Sequence, residues 1–284
     1  MKKFDRFHPA GWIVGSLLVA AYILAACRTT TASPGTATAR AQRVVAQATD
    51  MALQSRQASL LDEKQATATA QERLDRLGQL SNWPVVLSDA FDDNANGWIT
   101  GTQTSVYADA SFIIADGVFH WTATSHQGFT WRNSPTISSV TDFHLAVDSR
   151  QISGPAEAYI GLVMRQNDNG DYYLFSVQNT GSYSFDVYDN GQWLSLIPWT
   201  PSPAVRVDDL NHVEALAEGE SFSFYVNGEW AADYVDQTLS SGYCGLLVGM
   251  DAVGEPASWE FDNFELRGLV SAEETPTPEA IAIP

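Results

Sequence analysis

The chain is 284 residues long with a net charge of −19, and that charge is unevenly spread. Residues 1–85 carry +4, whereas residues 86–284 hold five Arg, no Lys and 28 Asp and Glu, giving −23. Nucleic-acid backbones are held by clustered Lys and Arg, so such a partner is excluded, and with only two cysteines the fold must rest on its core.

The first 27 residues start with Lys2, Lys3 and Arg6, run uncharged from Pro9, and end Leu24-Ala25-Ala26-Cys27. A basic start, a short apolar middle and small residues before a cut site mark a secretion signal. The terminal ILAAC resembles the lipobox of bacterial lipoproteins, which implies a lipid on Cys27 and cleavage before it. The same run is just long enough to span a bilayer with tilt, so an uncleaved N-terminal anchor stands as the alternative. Both readings expect the rest of the chain to be extracytoplasmic and anchored to the cell membrane. Cys244 then has no sulfur partner and, within GYCGLLVGM, reads as a small buried hydrophobe.

Residues 28–82 lack aromatics up to Ser81 and are rich in Ala, Thr, Gln and Arg. Residues 40–80 contain good helix formers and no Pro, but their apolar stripe is ragged and no heptad is sustained. This segment reads as a helical or partly disordered stalk. Residues 269–284 form an acidic, Pro-rich tail.

Between residues 83 and 268 the pattern changes to short β-rich runs. Asp116-Gly117, Asn169-Gly170, Asn190-Gly191 and Asn227-Gly228 punctuate them, and such pairs suit type I′ hairpins because both central residues need positive φ. Phe222, Phe224 and Val226 alternate with Ser221, Ser223 and Tyr225, as in a strand with one wet face. No amphipathic helical pattern intervenes. The expected fold is all-β: a two-sheet antiparallel jelly-roll sandwich preceded by the helical stalk.

The stretch Gly161–Trp193, with Leu87–Trp98, Ser221–Trp230 and Trp259–Leu266, resembles the concanavalin A-like lectin/glucanase superfamily. Within it, the likeness is to laminin G-like and 3-keto-disaccharide hydrolase-like jelly rolls on bacterial surface proteins. That resemblance implies a displayed, non-catalytic lectin-like domain that binds glycans or an envelope polymer. A glycoside hydrolase and a purely structural or protein-binding module share the fold and remain open.

Three constellations bear on these alternatives. Glu260-Phe261-Asp262-Asn263-Phe264-Glu265 matches the E-x-D-x-x-E pattern of family 16 glycoside hydrolases. It sits on the expected last strand, however, with Phe261, Phe264 and Leu266 read as core, and no active site is assigned to it. Asp92, Asn94, Asn96 and Gly97 fit the first half of an oxygen-rich calcium loop, but Gln103 occupies the twelfth position and excludes an EF-hand. The superfamily resemblance implies that Asp262 would join this loop around a structural calcium; no other cofactor is expected. Eight of nine Trp fall at residue 83 or later. Trp121, Trp131, Trp193, Trp199 and Trp230 are suited to stacking on sugars or to packing in the core. Trp131, Arg132, Arg165 and Tyr172 are the expected ligand-binding residues, with Arg165 also suited to neutralising Asp168 or Asp171.

Overall fold

The computed structural model describes residues 34–80, 82–270 and 282–283. Cys27 and most of the acidic tail lie outside the described residues. The chain divides into two compact units, residues 1–69 and 70–284. Helix α1 covers Pro34–Leu80, 47 residues. Proline suits a helix start because the N–H it lacks would have no intrahelical partner there. Val44, Val45, Met51, Leu53, Leu60 and Leu61 are exposed on α1, in keeping with its ragged stripe. Among the described residues no helix is long and apolar enough to cross a membrane.

The strands are β1 (Val85–Asp89), β2 (Gly101–Thr104), β3 (Ala108–Ala115), β4 (Val118–Ser125), β5 (Phe129–Asn133), β6 (Val140–Ser153), β7 (Tyr159–Gln166) and β8 (Tyr172–Gln178). They continue as β9 (Ser182–Asp189), β10 (Gln192–Pro201), β11 (Asn211–Glu218), β12 (Ser221–Val226), β13 (Glu229–Val235), β14 (Tyr243–Met250), β15 (Pro256–Val270) and β16 (Ala282–Ile283). A nine-stranded sheet runs β13-β12-β11-β6-β15-β4-β3-β2, with β1 paired to β15, and a seven-stranded sheet runs β10-β9-β8-β7-β14-β5-β16. Every pairing is antiparallel. The chain changes sheet after β4, β5, β6, β10, β13, β14 and β15, which makes a jelly roll rather than a meander.

The turns follow their sequence. Asp116-Gly117, Asn190-Gly191 and Asn227-Gly228 are two-residue hairpin loops with φ of 56 and 72, 49 and 79, and 56 and 74 degrees. Asn169-Gly170 differs, because it lies inside a five-residue loop from Asn167 to Asp171. There the Asn167 N–H donates to the Asp171 carbonyl at 3.0 Å and the Asn167 carboxamide brackets Asp171.

The core lies between the sheets and is largely aromatic. Phe175 stacks on Phe224 at 4.3 Å, and Phe185 lies 4.6 Å from Phe224. Trp121 packs against Phe112, Phe119 and Phe261 at 4.9, 5.3 and 5.0 Å. Cys244 is fully buried, and burial pushes its thiol up to about 12. Strand β12 departs from simple alternation, since Ser223 and Tyr225 are buried along with Phe222, Phe224 and Val226. Its outward face is covered where Arg73 lies 4.0 Å over Trp230 and pairs with Asp233 at 3.0 Å. Arg76 pairs with Glu218 beside them.

Arg165 corrects an expectation. It is 1% exposed and meets no ligand-facing surface. Its guanidinium donates to the carbonyls of Leu239 (2.9 Å), Thr141 (2.9 Å) and Gly219 (2.6 Å), and sits 4.9 Å over Phe222. Thr141 belongs to β6 and Gly219 to the β11–β12 turn, so this cation ties β7 of one sheet to the other. Neither Asp168 nor Asp171 is its partner. Asp171 instead accepts the backbone N–H of Asn190 at 2.9 Å and the Asn167 carboxamide at 3.1 Å.

Candidate functional site

The outer face of the seven-stranded sheet gathers aromatic side chains that alternation assigns away from the core. On β8, Tyr173, Phe175 and Val177 point between the sheets, which leaves Tyr172, Leu174 and Ser176 outside. The ladder places Trp193 opposite Tyr188, Tyr188 opposite Tyr172, and Asp186 opposite Leu174 and Ser195. Trp193 meets Tyr172 edge-on at 5.5 Å and Tyr188 at 5.2 Å, and Tyr172 lies 5.7 Å from Tyr188. Beyond them Trp199 covers Tyr159 at 5.7 Å. The Tyr159 ring lies directly on Gly249, where any side chain would collide with it.

Tyr172, Val163, Leu174 and Leu247 form a small apolar floor, separate from the main core. Trp193 and Trp199 stand above it, 44% and 41% exposed. The one carboxylate in the middle is Asp186, which accepts hydrogen bonds from Ser184 at 2.7 Å and from Ser195. Burial raises its pKa, and those two hydroxyls only partly oppose the rise. Burial also pushes Tyr172 up to about 12, although Arg132 and a hydrogen bond with Thr130 pull the other way.

The sequence-predicted residues divide here. Tyr172 and Arg132 do belong to this face, with the Arg132 guanidinium 4.3 Å over the Tyr172 ring and donating to the Gly170 carbonyl at 3.1 Å. Trp131, the neighbour of Arg132, points the other way; it is 6% exposed and packs on Phe112 at 5.7 Å within the core. The exposed-groove expectation for Trp131 is therefore corrected by strand parity. Trp121 is core as well, and Trp230 lies under Arg73. Tyr159, Tyr188 and Asp186 complete the face without belonging to any sequence motif.

The expected calcium loop is organised around a different carboxylate. Asp89 accepts the Asn96 carboxamide and the Trp98 indole N–H, both at 2.7 Å, and the Phe91 N–H at 2.8 Å. Asn94 donates to the Trp98 carbonyl at 2.9 Å, Asp93 accepts the Ala95 N–H at 2.8 Å, and Asp92 is exposed. Asp262 lies on β15 opposite Asp148 and accepts the Asn263 N–H at 2.6 Å. Among the described residues no group of three or more His, Cys, Asp or Glu side chains is placed to hold a metal ion. The hydrogen bonds to Asp89 and Asp93 make the loop an Asx turn.

The nine-stranded sheet turns a charged face outward. A bulge at Asp262–Asn263, with Asn263 at φ 52, keeps Phe261, Phe264 and Leu266 in the core while Glu260, Asp262 and Glu265 face away. These carboxylates have partners close by. Glu260 pairs with Arg150 at 2.6 Å and His120 at 3.4 Å, and Glu265 with Arg267 at 2.6 Å. Next to them His144 meets Glu214 at 3.2 Å, Glu214 meets His212 at 3.7 Å, and His212 meets Asp148 at 2.7 Å. The Glu214 carboxylate leads in lifting His212 to about 9, joined by Asp148 and opposed by burial. Burial alone would raise Glu214, but the two imidazoles outweigh it and hold the carboxyl at about 2.

A sandwich of two antiparallel sheets joined by repeated crossings is a jelly roll. Residues 85–267 match the 3-keto-alpha-glucoside-1,2-lyase-like domain, and the chain belongs to that family. None of the curated proteins matches it. Among solved structures, the carbohydrate-binding module CBM66 from Bacillus subtilis is 21% identical with a TM-score of 0.47, covering 62% of this chain and 98% of that one. A beta-glucanase from Bacillus licheniformis is 10% identical with a TM-score of 0.49, covering 66% and 100%. The galectin LEC-6 of Caenorhabditis elegans is 17% identical with a TM-score of 0.36, covering 61% and 98%.

Proposed function

We propose that this protein is an extracytoplasmic lipoprotein, held to the membrane through Cys27, whose jelly roll binds glycans without turning them over. The observation that carries the binding reading is the pair of half-exposed indoles, Trp193 and Trp199, flanking Asp186 on one sheet face. Flat aromatic surfaces stack on the C–H faces of sugar rings, and a carboxylate between hydroxyls orients their O–H groups. The lack of turnover is supported by the E-x-D-x-x-E carboxylates, which are engaged with Arg150, His120 and Arg267. Retaining hydrolysis would need two carboxyls facing each other about 5–5.5 Å apart across a scissile bond. The lipid anchor is supported by the residues before Cys27.

A second reading, an enzyme acting on glycosides, is favoured by Asp186, because burial that raises a carboxyl is what a general acid requires. A glycan array probed with the full chain and with Trp193→Ala separates these. Array signal that disappears in the variant, with no product formed from the bound sugar, is expected. A flat array ends the binding reading, and product formation lost in Asp186→Asn replaces it with catalysis. Incorporation of labelled palmitate, absent in Cys27→Ser, checks the anchor.

A further inference from the structure

Resting on the reading of this face as a glycan site, we propose that its ligand is a neutral, linear oligosaccharide long enough to touch both indoles, lying along the strands from Trp193 to Trp199. The register sets the length. Trp193 pairs with Tyr188 and Tyr188 with Tyr172, at the start of β8. Tyr159, the residue Trp199 covers, pairs with Gln178 at the end of β8. Strand β10 itself pairs Ile197 with Phe185 and Thr200 with Tyr183, so Trp199 lies about four rows of β9 from Trp193, a span of about 13 Å at about 3.3 Å per residue. A disaccharide does not bridge that distance, whereas a chain of several pyranose rings does.

The ground between the platforms is polar and low. Asp186 faces Leu174, and Ser184 faces Ser176, which in turn faces Gly161. The Ser176 hydroxyl, on the floor between them, is itself buried. Gly161 keeps the adjoining strand low, since a Cβ there would collide with Leu174 and crowd Ser176. The half-buried Asp186, held by Ser184 and Ser195, is the polar group this trough presents to a ligand.

Charge selects the ligand class. The basic side chain of this face, Arg132, is 7% exposed and committed to the Gly170 carbonyl and the Tyr172 ring. Asp186 and Asp251 both act on Tyr159, and the surrounding domain is strongly acidic. A uronate, sulfate or phosphate on the sugar would meet repulsion with no free cation to offset it. Two linked stacking contacts also make the second one intramolecular, so affinity should climb with chain length until both indoles are occupied.

The test is affinity electrophoresis of the full chain through gels containing laminarin, hydroxyethyl cellulose, galactomannan or levan, and alginate or polygalacturonate. Retardation by at least one neutral polymer is expected, weakened tenfold or more in Trp193→Ala and in Trp199→Ala alike. A disaccharide cut from the retarding polymer should compete at least tenfold less well than its hexasaccharide. Trp199→Tyr, which keeps a flat ring, should restore most of the binding, and unchanged melting of each variant shows that the fold is intact. Retardation by anionic polymers alone, equal competition by disaccharide and hexasaccharide, or loss in just one indole variant overturns the proposal. If the glycan array shows binding of a disaccharide while no neutral polymer retards the chain, glycan binding survives and the extended ligand does not. If no sugar of any size binds, both readings fall.

Discussion

The two outer faces of the sandwich solve the same problem in opposite ways. The nine-stranded sheet fills its outer surface with carboxylates, imidazoles and guanidinium groups that pair with one another, as in the run from His144 through Glu214 and His212 to Asp148. The seven-stranded sheet leaves its polar groups few and sets half-exposed indoles above them. Pairing ties the titratable groups of the charged face to one another, whereas the aromatic face presents flat rings.

The largest effect should come from cutting the tie between the sheets. Arg165→Met leaves three buried carbonyls without a donor, and a loss of about 3–5 kcal/mol is expected, read as a fall in the urea midpoint. Arg132→Met, which removes one carbonyl contact and one ring contact on the aromatic face, should cost clearly less. Equal losses would show that the sheets are not held through Arg165.

A pH series sharpens the contrast next. His212 titrates at about 9 in the folded chain against 6.5 ordinarily, so its contribution is complete below pH 6.5 and is lost as pH rises through 9. Glu214 titrates at about 2 against 4.5, so its contribution is present above pH 4.5 and is lost as pH falls towards 2. Stability owed to the charged face should therefore be greatest between pH 4.5 and 6.5, and His212→Gln should flatten the alkaline limb of melting temperature against pH. Asp186 carries the opposite sign. Its raised carboxyl makes the folded state weaker as pH rises, so Asp186→Asn should leave neutral-pH stability unchanged or higher, whereas Glu214→Gln lowers it.

The smallest expected change is at the glutamate that most resembles a catalytic residue. Glu260→Gln removes a pair with a half-exposed arginine, worth at most about 1 kcal/mol, and should leave glycan binding untouched. Loss of binding in that variant would move the site to the nine-stranded sheet.

Much of the fold was legible because local chemistry dictated it. Asp116-Gly117, Asn190-Gly191 and Asn227-Gly228 form two-residue hairpins since few other pairs tolerate successive positive φ. The aromatic face was only half legible. Strands β7 and β8 are buried on both sides, so Tyr172-Tyr173-Leu174-Phe175 shows no wet alternation to reveal which tyrosine points outward. The same ambiguity affects Trp131 and Arg132, adjacent residues assigned together to a groove that only one of them reaches. Arg165 misled because scarce basic residues in an acidic chain suggest carboxylate partners. Nothing in the sequence reports backbone carbonyls brought together from β6, the β11–β12 turn and the segment before β14. Asp89 was likewise invisible as the organiser of its loop, since its three donors, Phe91, Asn96 and Trp98, are set by the path of the turn rather than by a motif.

Cys244 sits at the centre of the sandwich with its sulfur sealed from solvent and its thiolate suppressed. Once Cys27 is replaced by serine, a maleimide can reach that one remaining thiol only when the packed sheets part. The labelling half-life in native buffer then becomes a clock for rare whole-domain openings, readable by mass spectrometry without denaturant.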